Sequence, residues 1–172
     1  SIGYGTVHDT KKQKMKKIII IIALIAILSV FILRNKIKKA SEELDYGIAP
    51  GFKVTNFTFG QSKMVLPFWV NNPTDLNLTI SNIKMEVFIN NIFAGNIIVD
   101  KVYKLNANGK SIVPLSIEID NVSAMNILMN ISQYLNSDDW RSKVNISVRG
   151  TARLESGFIY LSSLPIKADG SY

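Results

Sequence analysis

Two kinds of hydrophobic pattern divide the chain. Residues 18–33 read IIIIIALIAILSVFIL, a run of sixteen residues without a charge. As an α-helix this run would be about 24 Å long, at about 1.5 Å per residue. After residue 52 the pattern changes to an alternation of apolar and polar residues, which is typical of strands with one buried face. The sequence therefore predicts an apolar N-terminal helix followed by a β-rich domain.

The alternation is clearest in four segments, 63–71, 83–90, 112–120 and 143–155. Their inner faces are predicted to hold Met64, Leu66, Phe68 and Val70; Ile83, Met85, Val87 and Ile89; Val113, Leu115, Ile117 and Ile119; and Val144, Ile146, Val148, Gly150, Ala152 and Leu154. Turn-forming residues separate the strands at Asn90-Asn91, at 106–109 and at Ser156-Gly157. Several strands with such turns predict a mainly β fold, an immunoglobulin-like antiparallel β-sandwich.

One segment within this domain has a helical period instead. In 122–135, the residues Ala124, Leu128, Ile131 and Leu135 recur at helical spacing and define one apolar face. Asp120 or Asn121 can cap the helix. We expect a packing helix that closes one end of the sandwich by this face. Met125 and Met129 widen the apolar stripe, so a methionine-rich docking surface is the alternative.

The apolar run is interpreted as a single transmembrane helix. It is shorter than the roughly 20 residues that usually span a bilayer, but Lys16, Lys17, Arg34 and Lys36 flank it. Their aliphatic stems can lie in hydrocarbon while the charges reach the headgroups. A buried core helix rarely has basic clusters at both ends. A cleaved signal peptide would need a small-residue cleavage site, which residues 31–35 do not offer.

Helix-forming residues continue from 34 to 44, and Gly47 and Pro50-Gly51 are expected to end this helix. The predicted organisation is a basic tail at 1–17, the span at 18–33, a juxtamembrane helical stalk and linker at 34–51, and the sandwich at 52–172. Five lysines precede the span and four basic residues follow it. This small excess favours an inner N-terminus and an outer domain in a bacterial envelope or virion membrane.

Composition limits the function. The chain has no cysteine, and its one histidine, His8, lies in the polar tail. Disulfides and thiolate sites are therefore excluded, and a histidine-based triad is disfavoured. We expect no enzyme activity, catalytic residue, metal, cofactor or small-molecule substrate. Asp138 and Asp139 lack a partner base and are interpreted as a solvated turn.

The positive charge is concentrated before the domain. Residues 1–47 hold nine Lys or Arg against four Asp or Glu, whereas the remaining residues hold eleven against nine. Nucleic-acid binding requires a clustered basic face. None is evident after residue 48, so no nucleic-acid partner is expected.

A family resemblance rests on the order of several short motifs. Asn71-Asn72-Pro73 follows a hydrophobic strand, and a strand pair then runs from Ile83 to Gly95. A polar turn, another hydrophobic strand, a helix and a late Leu-Pro complete the order. The region 54–168 thereby resembles the late-embryogenesis-abundant (LEA) type 2 family and the overlapping WHy domain. It departs from the family pattern at Asn90-Asn91, where Asn-Gly is common.

The resemblance implies an immunoglobulin-like sandwich without catalytic residues, with roles in stress protection and in interactions at membranes. Two function classes remain open. The first is a membrane-anchored binding or protective module. The second is a structural or minor capsid protein that links a protein shell to the membrane of a lipid-containing virion or envelope assembly. Expected partners are the bilayer and other proteins, and Trp140 is a candidate interface residue.

Overall fold

A computed structural model describes residues 7–51, 53–58 and 61–171. Residues 1–6 of the predicted basic tail, and residue 52 at the predicted start of the domain, lie outside the described residues. The chain divides into two compact units, Ser1–Lys36 and Ile37–Tyr172. Helix α1, Val7–Glu43, begins in the first unit and ends in the second.

In the first unit, α1 has the length and composition of a membrane-spanning helix. The candidate span, Met15–Glu43, contains an 18-residue window with a mean hydropathy of 2.7, none of it buried. Every side chain from Met15 to Ile32 is exposed. The Ser29 hydroxyl, the polar group of the apolar run, donates a hydrogen bond of 2.8 Å to the carbonyl of Ile25. The described part of this run is therefore suited to hydrocarbon, where an unsatisfied polar group is costly.

The second unit is an antiparallel β-sandwich with a helix, which confirms the predicted fold class. The bounds of its strands are β1 Asp45–Ile48, β2 Lys53–Thr58, β3 Gln61–Asn72, β4 Leu78–Ile89, β5 Ile92–Val99, β6 Tyr103–Leu105, β7 Gly109–Asp120, β8 Asn145–Ser156 and β9 Ile159–Ser171. In the first sheet, β3 pairs with β7 on one side and with β1 and β2 on the other. The second sheet has the order β5-β4-β8-β9, and β6 pairs with the start of β4.

The core lies between the sheets and contains the residues that the alternation selected. The predicted inner faces of β3, β4, β7 and β8 are buried in the structure, apart from a partly exposed Gly150. The turn at Asn90-Asn91 also follows the prediction, since both residues have positive φ, 49° and 65°. Two-residue hairpins favour such turns because their twist matches that of the paired strands.

The sandwich begins earlier in the chain than the sequence predicted. Residues 34–51 were expected to be a stalk and a linker, but Ile37, Ala40 and Leu44 are buried in the second unit. Residues Asp45–Ile48 form β1, which pairs with the second half of β3. The helix therefore ends at Glu43 instead of near Gly47, and its last two turns are part of the domain core.

The two ends of the second unit differ. We call the end at which residues 37–44 enter it the proximal end. There β1 follows these residues, and its first residue pairs with Asn71 near the end of β3. At the distal end, helix α2, Asn121–Ser132, follows β7 directly. Strands β3 and β7 pair along twelve residues. Their length separates the two ends by about 36 Å, at about 3.3 Å per residue.

Candidate docking surface

Helix α2 starts with a well-formed cap. Asp120 accepts hydrogen bonds of 2.9 Å from both the backbone N–H and the hydroxyl of Ser123. These bonds stabilise the carboxylate and hold the pKa of Asp120 below its usual value. The cap that the sequence proposed at this position is thus confirmed, and it fixes where α2 leaves β7.

The inward face of α2 differs from the predicted one. Ile127 is the buried residue of the helix, with Ala124 and Ile131 half-buried beside it. Leu128 and Leu135, both expected to pack, are 54% and 53% exposed. A helix turns by about 100° per residue. With apolar side chains at both 127 and 128, the helix buries the first and leaves the second at its rim, while Leu135 lies beyond the end of α2.

The outward side of α2 is apolar and uncharged. We define the α2 patch as Val122, Met125, Leu128 and Met129, which are between 54% and 72% exposed. No charged residue occurs between Asn121 and Ser137. Helix α2 thus packs by Ile127, as a packing helix would, and leaves this methionine-rich side exposed.

A groove lies between α2 and the distal end of the two sheets. Its volume is about 170 Å³, and it is lined by Met64, Ile89 and Ile119 from the sheets, by Val144 just before β8, and by Ile127 and Leu128 from the helix, among others. The Ser62 hydroxyl also lines it, and this buried oxygen makes no hydrogen bond to any described residue. A buried polar group without a partner is costly.

The side chain of Asn90, in the β4–β5 turn, forms hydrogen bonds that hold α2 against the sandwich. Its Nδ2 donates to Asn130 Oδ1 at 2.9 Å, and its Oδ1 accepts from the backbone N–H of Asn145 at 2.8 Å. One asparagine side chain thus joins the helix to the β4–β5 turn and to the first residue of β8. The fixed position of α2 makes the patch a preformed surface.

The structure gives two of the family-motif residues a structural role. Asn72 is fully buried; its Nδ2 donates to the Leu76 carbonyl at 2.9 Å, and its Oδ1 accepts from the N–H and hydroxyl of Thr74. Pro73 is exposed and Asn71 is half-buried, so neither belongs to a closed site. Gly95 lies in β5 and pairs with Val87 near the last residue of β4. It faces the backbone of Glu118, which belongs to β7 of the other sheet.

The other candidate residues are spread over the molecule. Lys16, Lys17, Arg34 and Lys36 are exposed at the two ends of the apolar run. Trp140 is half-buried and begins a short 3-10 helix, Trp140–Lys143, beyond the loop that follows α2. It therefore lies off α2 and outside the α2 patch.

The neighbouring acidic pair belongs to a turn. Asp139 forms a salt bridge of 3.1 Å with Lys143. The hydrogen bond of this lysine lowers the pKa of Asp139. Within the described residues, no three His, Asp or Glu side chains gather at a place that could hold a metal ion.

Three features escaped sequence reasoning. The burial of Ile37, Ala40 and Leu44 had a signal, since these apolar residues recur at helical spacing among charges. The exposed patch on α2 had one in Met125 and Met129. The exposed Phe158, at the tip of the β8–β9 hairpin, had none beyond its position after Gly157.

Comparison with known proteins adds little. No protein-family model matches the chain, and no curated protein matches it. Among solved structures, the crystal structure of a protein from Archaeoglobus fulgidus has a TM-score of 0.45 at 10% identity; the match covers 73% of this chain and 98% of that one. The solution structure of a protein from Arabidopsis thaliana has a TM-score of 0.49 at 9% identity, covering 74% and 80%.

Proposed function

We propose that this protein is a membrane-anchored, non-enzymatic binding protein, in which α1 is the anchor and the α2 patch docks another protein. The observation that carries the proposal is the continuity of α1. One unbroken helix contains the exposed apolar run and then the buried residues Ile37 and Ala40. The same element thus has the properties of a bilayer span and contributes to the core of the sandwich.

This continuity supports an anchor over a cleaved signal sequence. Signal peptides end in an accessible segment with small residues, where the peptidase cuts. Residues 31–35, Phe-Ile-Leu-Arg-Asn, are helical and lack such residues. Only residues 34–36 separate the apolar run from the buried Ile37. The slight excess of lysines before the span supports a domain on the outer side.

The occupant that we propose for the α2 patch is an apolar surface of a different protein. A bilayer is a poorer fit, because interfacial helices usually carry Lys or Arg on the polar face, and α2 carries neither. The patch also lies at the distal end, about 36 Å of strand away from the proximal end. The uncharged surroundings of the patch suit a partner that is itself uncharged at the contact.

The finer assignments remain part of the proposal. The structural roles of Asn72 and Gly95 are compatible with a relationship to the LEA type 2 family, because both residues hold the sandwich together instead of lining a reactive site. A protein that fixes a sandwich to a membrane would serve an envelope or a lipid-containing virion equally well. Stoichiometric co-purification with particles would support the virion role, and recovery with membranes alone would support the envelope role.

The test uses the full chain in its native membrane. A photo-crosslinking residue replaces Met125 or Leu128, and an exposed position on the outer face of β8, Thr151, is the matched control. We expect both patch positions to yield the same single adduct with a different protein and the control to yield none. A homodimer adduct, a lipid adduct or no adduct at the patch would overturn the docking proposal. Release of the full chain by alkaline carbonate would overturn the anchor.

A further inference from the structure

The proximal end of the sandwich carries an aromatic hairpin tip. Strands β8 and β9 close at Gly157-Phe158, where Ser156 pairs with Ile159. Gly157 has a φ of 62°, which suits a tight turn. Phe158 is 93% exposed, more than any other large apolar side chain with described exposure. Tyr160, two residues further along β9, is half-exposed.

Hydrogen bonds fix this tip to the end where residues 37–44 join the sandwich. The Ser156 hydroxyl donates to the carbonyl of Asn77 at 3.1 Å. Asn77 belongs to the loop that Asn72 holds against the end of β3 through Leu76. The end of β3 is also where β1 starts, opposite Asn71. The hairpin tip and the last turns of α1 thus share the proximal end.

An arginine and a glutamate of β8 form an ion pair beside the tip. The guanidinium carbon of Arg153 lies 3.9 Å from the centre of the Tyr160 ring, and Arg153 Nε lies 2.6 Å from a carboxylate oxygen of Glu155. An exposed phenylalanine with a tyrosine and an arginine beside it combines an apolar end with groups that prefer water. Tyrosine is enriched at membrane–water interfaces, and an exposed phenylalanine next to it adds apolar area that can enter the boundary of the acyl chains.

We propose that Phe158 and Tyr160 insert into the headgroup region of the bilayer that holds α1. The inference rests on the proposed anchor. Only residues 34–36 lie between the apolar run and the buried Ile37, so an anchored chain keeps the proximal end within reach of the headgroups. Because Arg153 is paired with Glu155, the contact requires no anionic lipid.

The experiment exploits the absence of cysteine from the chain. Phe158→Cys carries a nitrobenzoxadiazole fluorophore in the full chain, reconstituted in phosphatidylcholine nanodiscs with or without lipid spin-labelled high in the acyl chain. The matched control is Gln133→Cys, an exposed residue in the turn that follows α2 at the distal end, where φ is −62° and suits any residue. Both positions are exposed and at turns, so the labelled chains should fold alike. Any tendency of the dye itself to insert is the same at both.

We expect quenching at position 158 to exceed that at position 133 by about threefold, as for a side chain buried in the boundary of the acyl chains. The excess should be the same when phosphatidylglycerol replaces a third of the lipid. Equal quenching at the two positions, or quenching at 158 that appears only with phosphatidylglycerol, would overturn the inference. Failure of the chain to float with the nanodiscs would instead refute the proposed anchor.

Discussion

Gly95 lies directly against the backbone of Glu118: a Cβ atom added to Gly95 would stand 2.5 Å from the Glu118 carbonyl oxygen. The contact brings β5 of one sheet against β7 of the other. It occurs beside a bulge, since Val87 pairs with Gly95 and Phe88 pairs with Phe93. A side chain at position 95 would therefore force the two sheets apart at this edge.

Gly95→Ala should lower the free energy of unfolding by about 1–3 kcal/mol, the usual cost of overpacking. Denaturant unfolding of the full chain in detergent would measure this change. Gly109→Ala is the control, because its added Cβ would make only an ordinary contact of 3.5 Å. Equal effects of the two substitutions would show that the close approach is unimportant.

Ile37 is a second point where stability can be tested. Ile37→Ala should lower the free energy of unfolding by about 2–5 kcal/mol, because it leaves a cavity in the core. Lys38→Ala, at the exposed neighbouring position, should have an effect of about 0.5 kcal/mol or less. A fragment of residues 36–172 should unfold cooperatively, whereas one of residues 49–172 should not. A cooperative transition for the shorter fragment would contradict the assignment of residues 37–48 to the core.

The buried amide of Asn72 should be equally sensitive. Asn72→Ala leaves the Leu76 carbonyl and the Thr74 N–H without their partner, and unsatisfied buried groups cost about 1–3 kcal/mol. Asn77→Ala, in the same loop but exposed, should change the stability by about 0.5 kcal/mol or less. Thermal unfolding of both variants would decide the matter. A stable Asn72→Ala protein would mean that water replaces the amide.

On α2, two neighbouring residues should behave differently. Ile127→Ala should lower the free energy of unfolding by about 2 kcal/mol or more, because the side chain is buried. Leu128→Ala should cost about 1 kcal/mol or less, since more than half of that side chain already contacts solvent. A larger loss of stability for Leu128→Ala than for Ile127→Ala would show that Leu128 packs inward, as the sequence predicted. Chemical denaturation is the measurement.

The cap of α2 should respond to acid. The pKa of Asp120 is lower in the folded protein than its usual 3.8. A lowered carboxyl pKa adds stability above the unfolded pKa, and that stability is lost as the pH falls through the folded pKa. The amide resonance of Ser123 should therefore shift with a midpoint below 3.8. Asp120→Asn keeps a capping oxygen but should abolish the transition, and a midpoint at or above 3.8 would contradict the bond.

The sandwich was largely predictable because a strand with one buried face displays that face every second residue. The inner faces of β3, β4, β7 and β8 could thus be identified one residue at a time. The face of α2 could not, since Ile127 and Leu128 are both apolar and only the position of β5 and β7 decides which one is buried. Residues 37–48 were hidden for another reason: the surrounding charges resemble an exposed stalk.

The exposed apolar positions were harder still. The alternation in 63–71 identifies Phe68 as an inner residue, and it is fully buried, whereas only its position after Gly157 marks the exposed Phe158. The difference arises from the β8–β9 pairing, which places position 158 at a turn beyond both sheets. Hydrophobic periodicity identifies which side of a strand is buried. It does not identify which turns protrude from the ends of the sheets.

The position of β1 beside β9 has a consequence for proteolysis of the chain. β9 is the last strand of its sheet, and β1 covers part of it: the Tyr46 hydroxyl donates to the Pro165 carbonyl, and Ile48 packs on Gly170. Cleavage after Ile48, followed by loss of residues 37–48, would uncover this part of β9 and also remove Ile37, Ala40 and Leu44 from the core. An uncovered edge strand recruits strands from other molecules. A domain cut at this point would therefore be expected to self-associate through β9.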